Sequence, residues 1–476
     1  MSQDILQKKN FFFIGVGGAG MSAIAQYLAG NGKVVKGSDR LFNFTENDYI
    51  KAQLQKENIE CFLQDGSGID EHTEAIVIST AIEDTNVEIA KAKSLNIPIV
   101  IRAELLAQIC ASKKTIAIAG TSGKSTTTAM LFHILYENGV SPSLITGAGL
   151  ASLQQDGKIG NAYCGTSDWL LIEADESDGT LVKYKPEVGL LLSIDKDHKE
   201  MDELFEIFQT FKNNTKGPFV VNQSHPLAKK YSQNSAQDFG EGTPFDGVNF
   251  SQQGFEIQFD VRRQMTDDSQ IETQTSDIQH QTSIKIPTIG KHNMENALAC
   301  IAVANIVGVN VEQCANALKT YGGIYRRHQL LGVKNGVTVI DDYAHNPAKI
   351  AASIKACQPV GDKLVAWFQP HGYGPTRFIR KELVEEITNS LRSQDEIWMS
   401  EIYYAGGTAV KDISANDIIN DLKANGVNAF FVEDRKELFA QMIPTLKENT
   451  VLLLMGARDP SLEKFSKEVY EMMTDV

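Results

Sequence analysis

Nothing in these 476 residues resembles a disulfide framework or a zinc knuckle. The six cysteines (Cys61, Cys110, Cys164, Cys300, Cys314, Cys357) are scattered, with no Cys-x-x-Cys pair. This pattern excludes a disulfide-stapled small domain and fits a reducing compartment in which thiols are small apolar packers. No apolar run reaches the roughly 18–20 residues that a membrane helix needs. The opening residues, Met-Ser-Gln-Asp-Ile-Leu-Gln-Lys-Lys-Asn, hold no signal-type apolar core. Basic residues are outnumbered as well, 45 Lys and Arg against 60 Asp and Glu, for a net charge of −15. That balance argues against non-specific binding to nucleic acid or to an anionic membrane. A cytoplasmic protein without nucleic-acid or membrane partners is expected, and nothing sets its oligomeric state.

What is present is globular and patterned. A hydrophobic share of 42% is ordinary for such a protein, and the length exceeds what one core supports. Apolar runs at Phe11–Gly15, Lys33–Gly37, Ala75–Ser79 and Ile97–Ile101 read as strands, with helices predicted over Met21–Ala29 and Val87–Leu95. The alternation resumes at Thr115–Ala119, Leu170–Glu173 and Val188–Ser193. It returns at Val337–Asp341, Lys363–Phe368, Glu396–Ser400, Ala429–Val432 and Val451–Met455. Between them, residues 232–283 are rich in Gln, Ser, Asp and Thr and read as a small antiparallel excursion. Serial βαβ units predict an α/β protein built on parallel sheets.

The densest chemical signal is Gly120-Thr121-Ser122-Gly123-Lys124-Ser125-Thr126, lying between a predicted strand and a predicted helix. Backbone amides released by the glycines converge on phosphate oxygens, Lys124 adds a point charge, and the Ser125 hydroxyl can hold a magnesium ion. The bland alternative is a glycine turn, since Ile118 stands where the first glycine of the full eight-residue pattern belongs. A second loop, Gly15-Val-Gly17-Gly18-Ala19-Gly20, also opens a helix, and Asp39 follows about twenty residues on. It suits any pyrophosphate: a UDP-type ligand, a nicotinamide or flavin cofactor, or none if it is only a structural turn. The four carboxylates of Glu173-Ala-Asp175-Glu176-Ser-Asp178 sit just past a strand, where they would reach a cation or form a solvated turn. His198 ends another strand, as a metal ligand or a structural histidine. Asn293 is either a helix cap or a ligand-facing amide. Arg326-Arg327 is a phosphate contact or a solvated pair, and Asp341-Asp342-Tyr343-Ala-His345 a nucleotide-facing turn or an ordinary one.

Taken in order, these motifs resemble the Mur ligase family from end to end, above all the branch that joins L-alanine to UDP-N-acetylmuramate. Ser79-Thr80-Ala81-Ile82, Ile99-Val-Ile-Arg102-Ala-Glu104, Gly290-Lys-His-Asn293 and Phe368-Gln-Pro-His371 continue the match. The resemblance implies three domains: 1–111, Rossmann-like, for the UDP-substrate, 112–322, with the P-loop, for ATP, and 323–476, again Rossmann-like, for the amino acid. It implies ATP and magnesium as cofactors, with Lys124, Glu173, His198 and His345 catalytic. ATP would lie on Gly120 to Thr126, Asn293, Arg326 and Asp342, and metal on Ser125, Glu173 and His198. The UDP moiety would lie on Gly15, Gly17, Gly18, Ala19, Gly20, Met21, Ser22, Asp39, Ser79, Thr80 and Ala81. The implied chemistry runs through an acyl phosphate in peptidoglycan precursor synthesis. A family member using another amine or a peptide, as in murein recycling, and an NAD(P)-dependent oxidoreductase are the alternatives.

The departures are local. The branch usually carries histidine at the position of Ser122 and threonine at that of Ser125. Its C-terminal run of arginines is here Gly372-Tyr-Gly-Pro-Thr-Arg377, and a Gly-Ala-Gly is here Gly456-Ala-Arg458. The amino acid is therefore expected on His371, Arg377, Tyr403 and Arg458. Lys212 is the candidate for the carbamylated lysine other family members carry, against a solvated helical lysine.

Overall fold

The computed structural model describes residues 5–43, 48–176, 179–195, 201–262, 281–404, 410–459 and 461–473. Strands β1 (Asn10–Ile14), β2 (Val34–Ser38), β3 (Ile59–Phe62), β4 (Ala75–Ile78) and β5 (Ile99–Ile101) form a parallel sheet ordered β3-β2-β1-β4-β5. The Phe-Phe-Phe-Ile run of β1 is apolar throughout because both faces are covered. Phe11 and Phe13 enter one cluster, Phe12 and Ile14 another. The chain reverses direction across the sheet between β1 and β4, the place where open α/β sheets hold ligands.

A second sheet holds β6 (Lys114–Ala119), β7 (Ser143–Ile145), β8 (Ala162–Tyr163), β9 (Trp169–Glu173), β10 (Val188–Leu191) and β11 (Phe219–Val221). Its order is β11-β10-β6-β9-β7-β8, parallel except for β8. Ile118 lies opposite Glu173 and Ala119 opposite Leu191, so the loops leaving β6, β9 and β10 share one edge.

The two sheets share one apolar cluster, running from Phe11 and Tyr27 through Ala117 and Leu170 to Phe211. Buried polar bonds add to it. Gln26 Nε2 donates to Asn161 Oδ1 (2.8 Å), and Asn161 Nδ2 donates to Ala19 O (2.8 Å) and Ser22 Oγ (2.9 Å). Both belong to one compact unit, Met1–Phe250 with Gln258–Ile286 and His292–Gly322. Strands β12 (Asp246–Gln253), β13 (Glu256–Arg262) and β14 (Gln281–Ile286) form a small three-stranded sheet.

The other unit, Ser251–Ile257, Pro287–Lys291 and Gly323–Val476, is built on a third large sheet. Strands β15 (Gln329–Lys334), β16 (Val337–Asp342), β17 (Lys363–Gln369), β18 (Glu396–Ser400), β19 (Ala429–Val432) and β20 (Thr450–Gly456) take the order β15-β16-β20-β17-β18-β19. Only β15 runs antiparallel. Among the described residues, no helix is long and apolar enough to cross a membrane.

Candidate active site

The loop after β6 has the geometry of a phosphate cradle. Gly123 adopts φ +84° immediately before the helix Lys124–Glu137, a conformation that L side chains avoid. A Cβ there would also stand 2.7 Å from Asn296 Oδ1. Lys124 Nζ donates to Gly120 O (2.7 Å) and to Glu176 Oε2 (2.8 Å), with Asp175 at 3.9 Å. Ser125 Oγ donates to Glu173 Oε1 (2.7 Å) and Thr146 Oγ1 to Glu173 Oε2 (2.9 Å). One hydroxyl-rich pocket thus gathers a lysine, two serine or threonine hydroxyls and a carboxylate from β6, β7 and β9. These hard oxygens suit a magnesium ion, and Ser125 and Glu173 are the pair that would hold it.

Other residues of the loop play different parts. Ser122 is exposed and its N–H donates to Ser193 Oγ (3.1 Å), while Thr121 bonds to Ser193 and Asp195. Thr126 is half-buried. Asn293 is buried within the helix Lys291–Val307, not a side-chain cap exposed at its start. Its Oδ1 accepts from Asn296 Nδ2 (3.1 Å), and Asn296 Oδ1 accepts from Thr127 Oγ1 (3.2 Å), which links Asn293 to the phosphate-loop helix. His198 lies outside the described residues. Lys212 is half-buried in the helix Met201–Asn214.

At the switch point of the first sheet, Gly15 N and Val16 N both donate to Ser38 O, and Gly17 N donates to Asp39 Oδ2 (2.9 Å). A Cβ on Gly17 would stand 2.9 Å from that carboxylate oxygen. Asp39 is buried and also accepts from Leu41 N, so its first task is to shape the glycine loop. Gly18 and Ala19 lead into the helix Ala19–Gly30, and Arg102 Nη1 would be 3.0 Å from a Cβ on Gly20. Met21 packs in the core and Ser22 is buried against Asn161, so the side chains of these two expected contacts are spent inside the protein. Ser79 is half-buried, Thr80 and Ala81 are exposed, and Ile82 comes within 3.6 Å of a Cβ on Gly15.

In the third large sheet, Arg326 is buried rather than solvated. Its Nε donates to Asp341 Oδ2 (3.0 Å), its Nη2 to Gly456 O (2.9 Å), and its plane lies 5.4 Å from the Tyr343 ring centre. Two of its guanidinium nitrogens are thus occupied within its own domain, and its burial sets aside the solvated-pair reading. Burial pushes Asp341 up to about 6, against the pull of Arg326. Asp342 accepts from His328 N (2.7 Å) and Ala344 N (2.7 Å). The His345 and His371 rings lie 5.9 Å apart, and His371 bridges to Tyr403 through the backbone. His371 Nδ1 is buried without a partner among the described residues. Arg458, exposed and at φ +63°, acts electrostatically on both histidines. Arg377 is instead paired with Asp412 at 2.9 Å.

Burial, helped by His345 and Arg458, lowers His371 from 6.5 to about 4, so its ring is neutral at neutral pH. A depressed histidine favours the fold above its unfolded value and loses that contribution as protons are added. Melting temperature should therefore fall as pH drops from 6.5 towards about 4, and the fall should be shallower in His371→Gln. A pH series of thermal melts on the two proteins checks this.

Residues 10–114 match the Mur ligase family catalytic domain, 118–304 the Mur ligase middle domain, and 326–458 the Mur ligase glutamate ligase domain. The UDP-N-acetylmuramate–L-alanine ligase of Geotalea daltonii is 34% identical over 457 residues, 94% of each chain. The chain belongs to the Mur ligase family. This Mur ligase is also 31% identical to the enzyme of the same name from Syntrophomonas wolfei, again over 94% of each. The solved structure of MurC, the UDP-N-acetylmuramate–alanine ligase of Thermotoga maritima, matches with a TM-score of 0.76 at 26% identity, covering 97% of this chain and 98% of that one. A murein peptide ligase from Psychrobacter arcticus shares the fold, with a TM-score of 0.63 at 18% identity over 98% of this chain and 99% of that one.

Family membership makes this Mur ligase an ATP-dependent ligase and sets aside the oxidoreductase alternative. Three neighbours of its phosphate loop, Thr146, Ser193 and His225, escape a reading by motif. Each comes from a different loop, and only the strand order brings them together. The turn Thr146-Gly-Ala-Gly149, directly after a short apolar run, is a sequence signal by which the first of them could be found.

Proposed function

We propose that this Mur ligase joins L-alanine to UDP-N-acetylmuramate, with ATP and magnesium, in the cytoplasmic synthesis of peptidoglycan precursors. The observation that carries the reading is the convergence of Lys124, Ser125, Glu173 and Thr146 at one sheet edge, in a chain 34% identical to an L-alanine ligase over nearly its whole length. In this reading, residues 1–111 hold the UDP-sugar, 112–322 the ATP, and 323–476 the amino acid. The γ-phosphoryl group passes to the muramoyl carboxylate, the amine attacks the acyl phosphate, and the tetrahedral intermediate expels phosphate. Two anions must meet, so Lys124 offsets charge that develops between them. Ser125 and Glu173 would hold the magnesium ion, with His198 proposed for a second; the metal supplies further electrostatic stabilisation.

The amine must shed a proton as it attacks. His345 Nδ1 lies 2.9 Å from Tyr343 O, which can only accept, so Nδ1 carries the hydrogen and Nε2 keeps its lone pair. Burial further favours the neutral ring, which makes His345 Nε2 the proposed proton acceptor. With His371 neutral, Arg458 is the proposed partner of the amino-acid carboxylate. Arg458→Ala should raise the KM for the amino acid by roughly tenfold, the worth of a charge-assisted hydrogen bond. Arg377→Ala, which breaks a pair with Asp412, should leave that KM within about twofold. Steady-state kinetics with varied amino acid decides between them.

A second reading, a larger amine, is favoured by a cavity of about 540 Å³ beside Gln369 and Tyr403, lined also by Glu401, Glu433 and Asp434. Phosphate release from ATP with UDP-N-acetylmuramate and a panel of amino acids and short peptides tests both. Turnover with L-alanine supports the first reading. Turnover only with a bulkier amine replaces it with the second, and no ATP turnover with any amine overturns both.

A further inference from the structure

We propose that His225 is a positioning residue for the phosphate loop, acting through Asp195 and Thr121. The inference rests on the reading that the loop holds ATP. His225 lies about a hundred residues beyond the loop, in the turn after β11, and its side chain is only 17% exposed. Its ring is locked at both nitrogens. Nδ1 faces two backbone donors, Leu227 N and Ala228 N, each at 3.3 Å, so Nδ1 must be the unprotonated acceptor. The hydrogen is therefore on Nε2, which points at Asp195 Oδ1 3.4 Å away.

From there the charge of the Asp195 carboxylate, the stronger acceptor, favours one direction for the hydrogens. Ser122 N–H donates to Ser193 Oγ (3.1 Å), and the two hydroxyls of Ser193 and Thr121 are 3.1 Å apart. Thr121 Oγ1 already accepts from Asp195 N (2.9 Å) and has one hydrogen, which goes to Asp195 Oδ2 (3.3 Å). Ser193 must then donate to Thr121. The donors run from Ser122 through Ser193 and Thr121 onto Asp195, and His225 donates onto the carboxylate's other oxygen. Asp195 is thus held between two donors, and the first half of the phosphate loop is anchored to it. With Nδ1 unprotonated the ring is neutral, so the His225 contact is a hydrogen bond and not an ion pair; its value lies in fixing the direction of the carboxylate, itself 63% exposed, that fixes Thr121.

Two substitutions separate this role from a local structural one. His225→Gln places an amide donor where Nε2 stood but loses the acceptor facing Leu227 and Ala228. His225→Asn keeps an acceptor at the Nδ1 position but cannot reach Asp195. Calorimetric titration with ATP–Mg in the full-length protein is the measurement, alongside thermal melts. Positioning predicts that Asn weakens ATP binding by roughly tenfold with an unchanged melting temperature, while Gln binds ATP as the wild type does. It also predicts that Thr121→Val added to His225→Asn causes no further loss of affinity, because both break one chain. Equal ATP affinity in Asn and wild type, or a loss in Gln that Asn does not share, overturns the proposal. If the wild type fails to bind ATP, the underlying reading of the loop is what falls.

Discussion

Lys124→Ala should abolish ligation, lowering kcat by about 10³-fold, the scale on which a preorganised charge in a dry site acts. The same change should destabilise the protein. Glu176, only 5% exposed, would be left as a buried carboxylate facing the gap. Breaking a buried pair by removing one partner costs roughly 3–5 kcal/mol. The two effects have different cures. Adding Glu176→Gln neutralises the stranded carboxylate, so the double variant should recover most of the lost melting temperature while remaining inactive. Thermal melts and phosphate release on the single and double variants check both halves. A double variant that regained turnover would show that Lys124 serves the fold and not the reaction.

Glu173→Gln should be nearly as damaging to catalysis and nearly silent in stability. Its side chain accepts from Ser125 Oγ and Thr146 Oγ1, and Gly147 N approaches at 3.4 Å. A glutamine of the same shape still accepts from one hydroxyl and donates to the other, so the pocket stays satisfied. What it loses is the negative charge that would hold a divalent cation. The expected result is a kcat lower by about 10²–10³-fold, the range for removing one stabilising group from a preorganised site. The magnesium dependence should move to higher concentration. Turnover titrated against magnesium in both proteins tests this, and an unchanged magnesium dependence would remove Glu173 from the metal's environment.

The strands on which both predictions rest were legible because they are central. The Phe-Phe-Phe-Ile run of β1 and the Val-Leu-Leu-Leu-Met run of β20 are covered on both faces, which enforces uninterrupted apolar stretches. The strands that periodicity passed over lie mostly at edges or in the polar excursion. β3 reads Ile-Glu-Cys-Phe, β12 reads Asp-Gly-Val-Asn-Phe-Ser-Gln-Gln, and β15 is the antiparallel edge of its sheet. One exposed side removes the need for a continuous apolar signal.

The site was legible to a similar degree. Lys124, Ser125 and Glu173 stand in short motifs whose spacing carries their chemistry. Thr146 and His225 stand in none, because their relation to the loop exists only after strands far apart in sequence are laid side by side. Arg326 shows the opposite limit. Adjacent arginines look solvated in sequence, and only Asp341, fifteen residues on, explains why one of them is buried.

The apolar cluster shared by the first two sheets bears on how the chain folds during synthesis. Side chains of β1 and of the helix Ala19–Gly30 belong to the same cluster as Leu170, Phe208 and Tyr231. On the ribosome the opening segment therefore emerges before part of the core it completes has been made. Non-local apolar partners of this kind slow folding and leave surface exposed in the interval. Chaperone contact during translation should concentrate on nascent chains that have exposed β1 but have not yet released Tyr231.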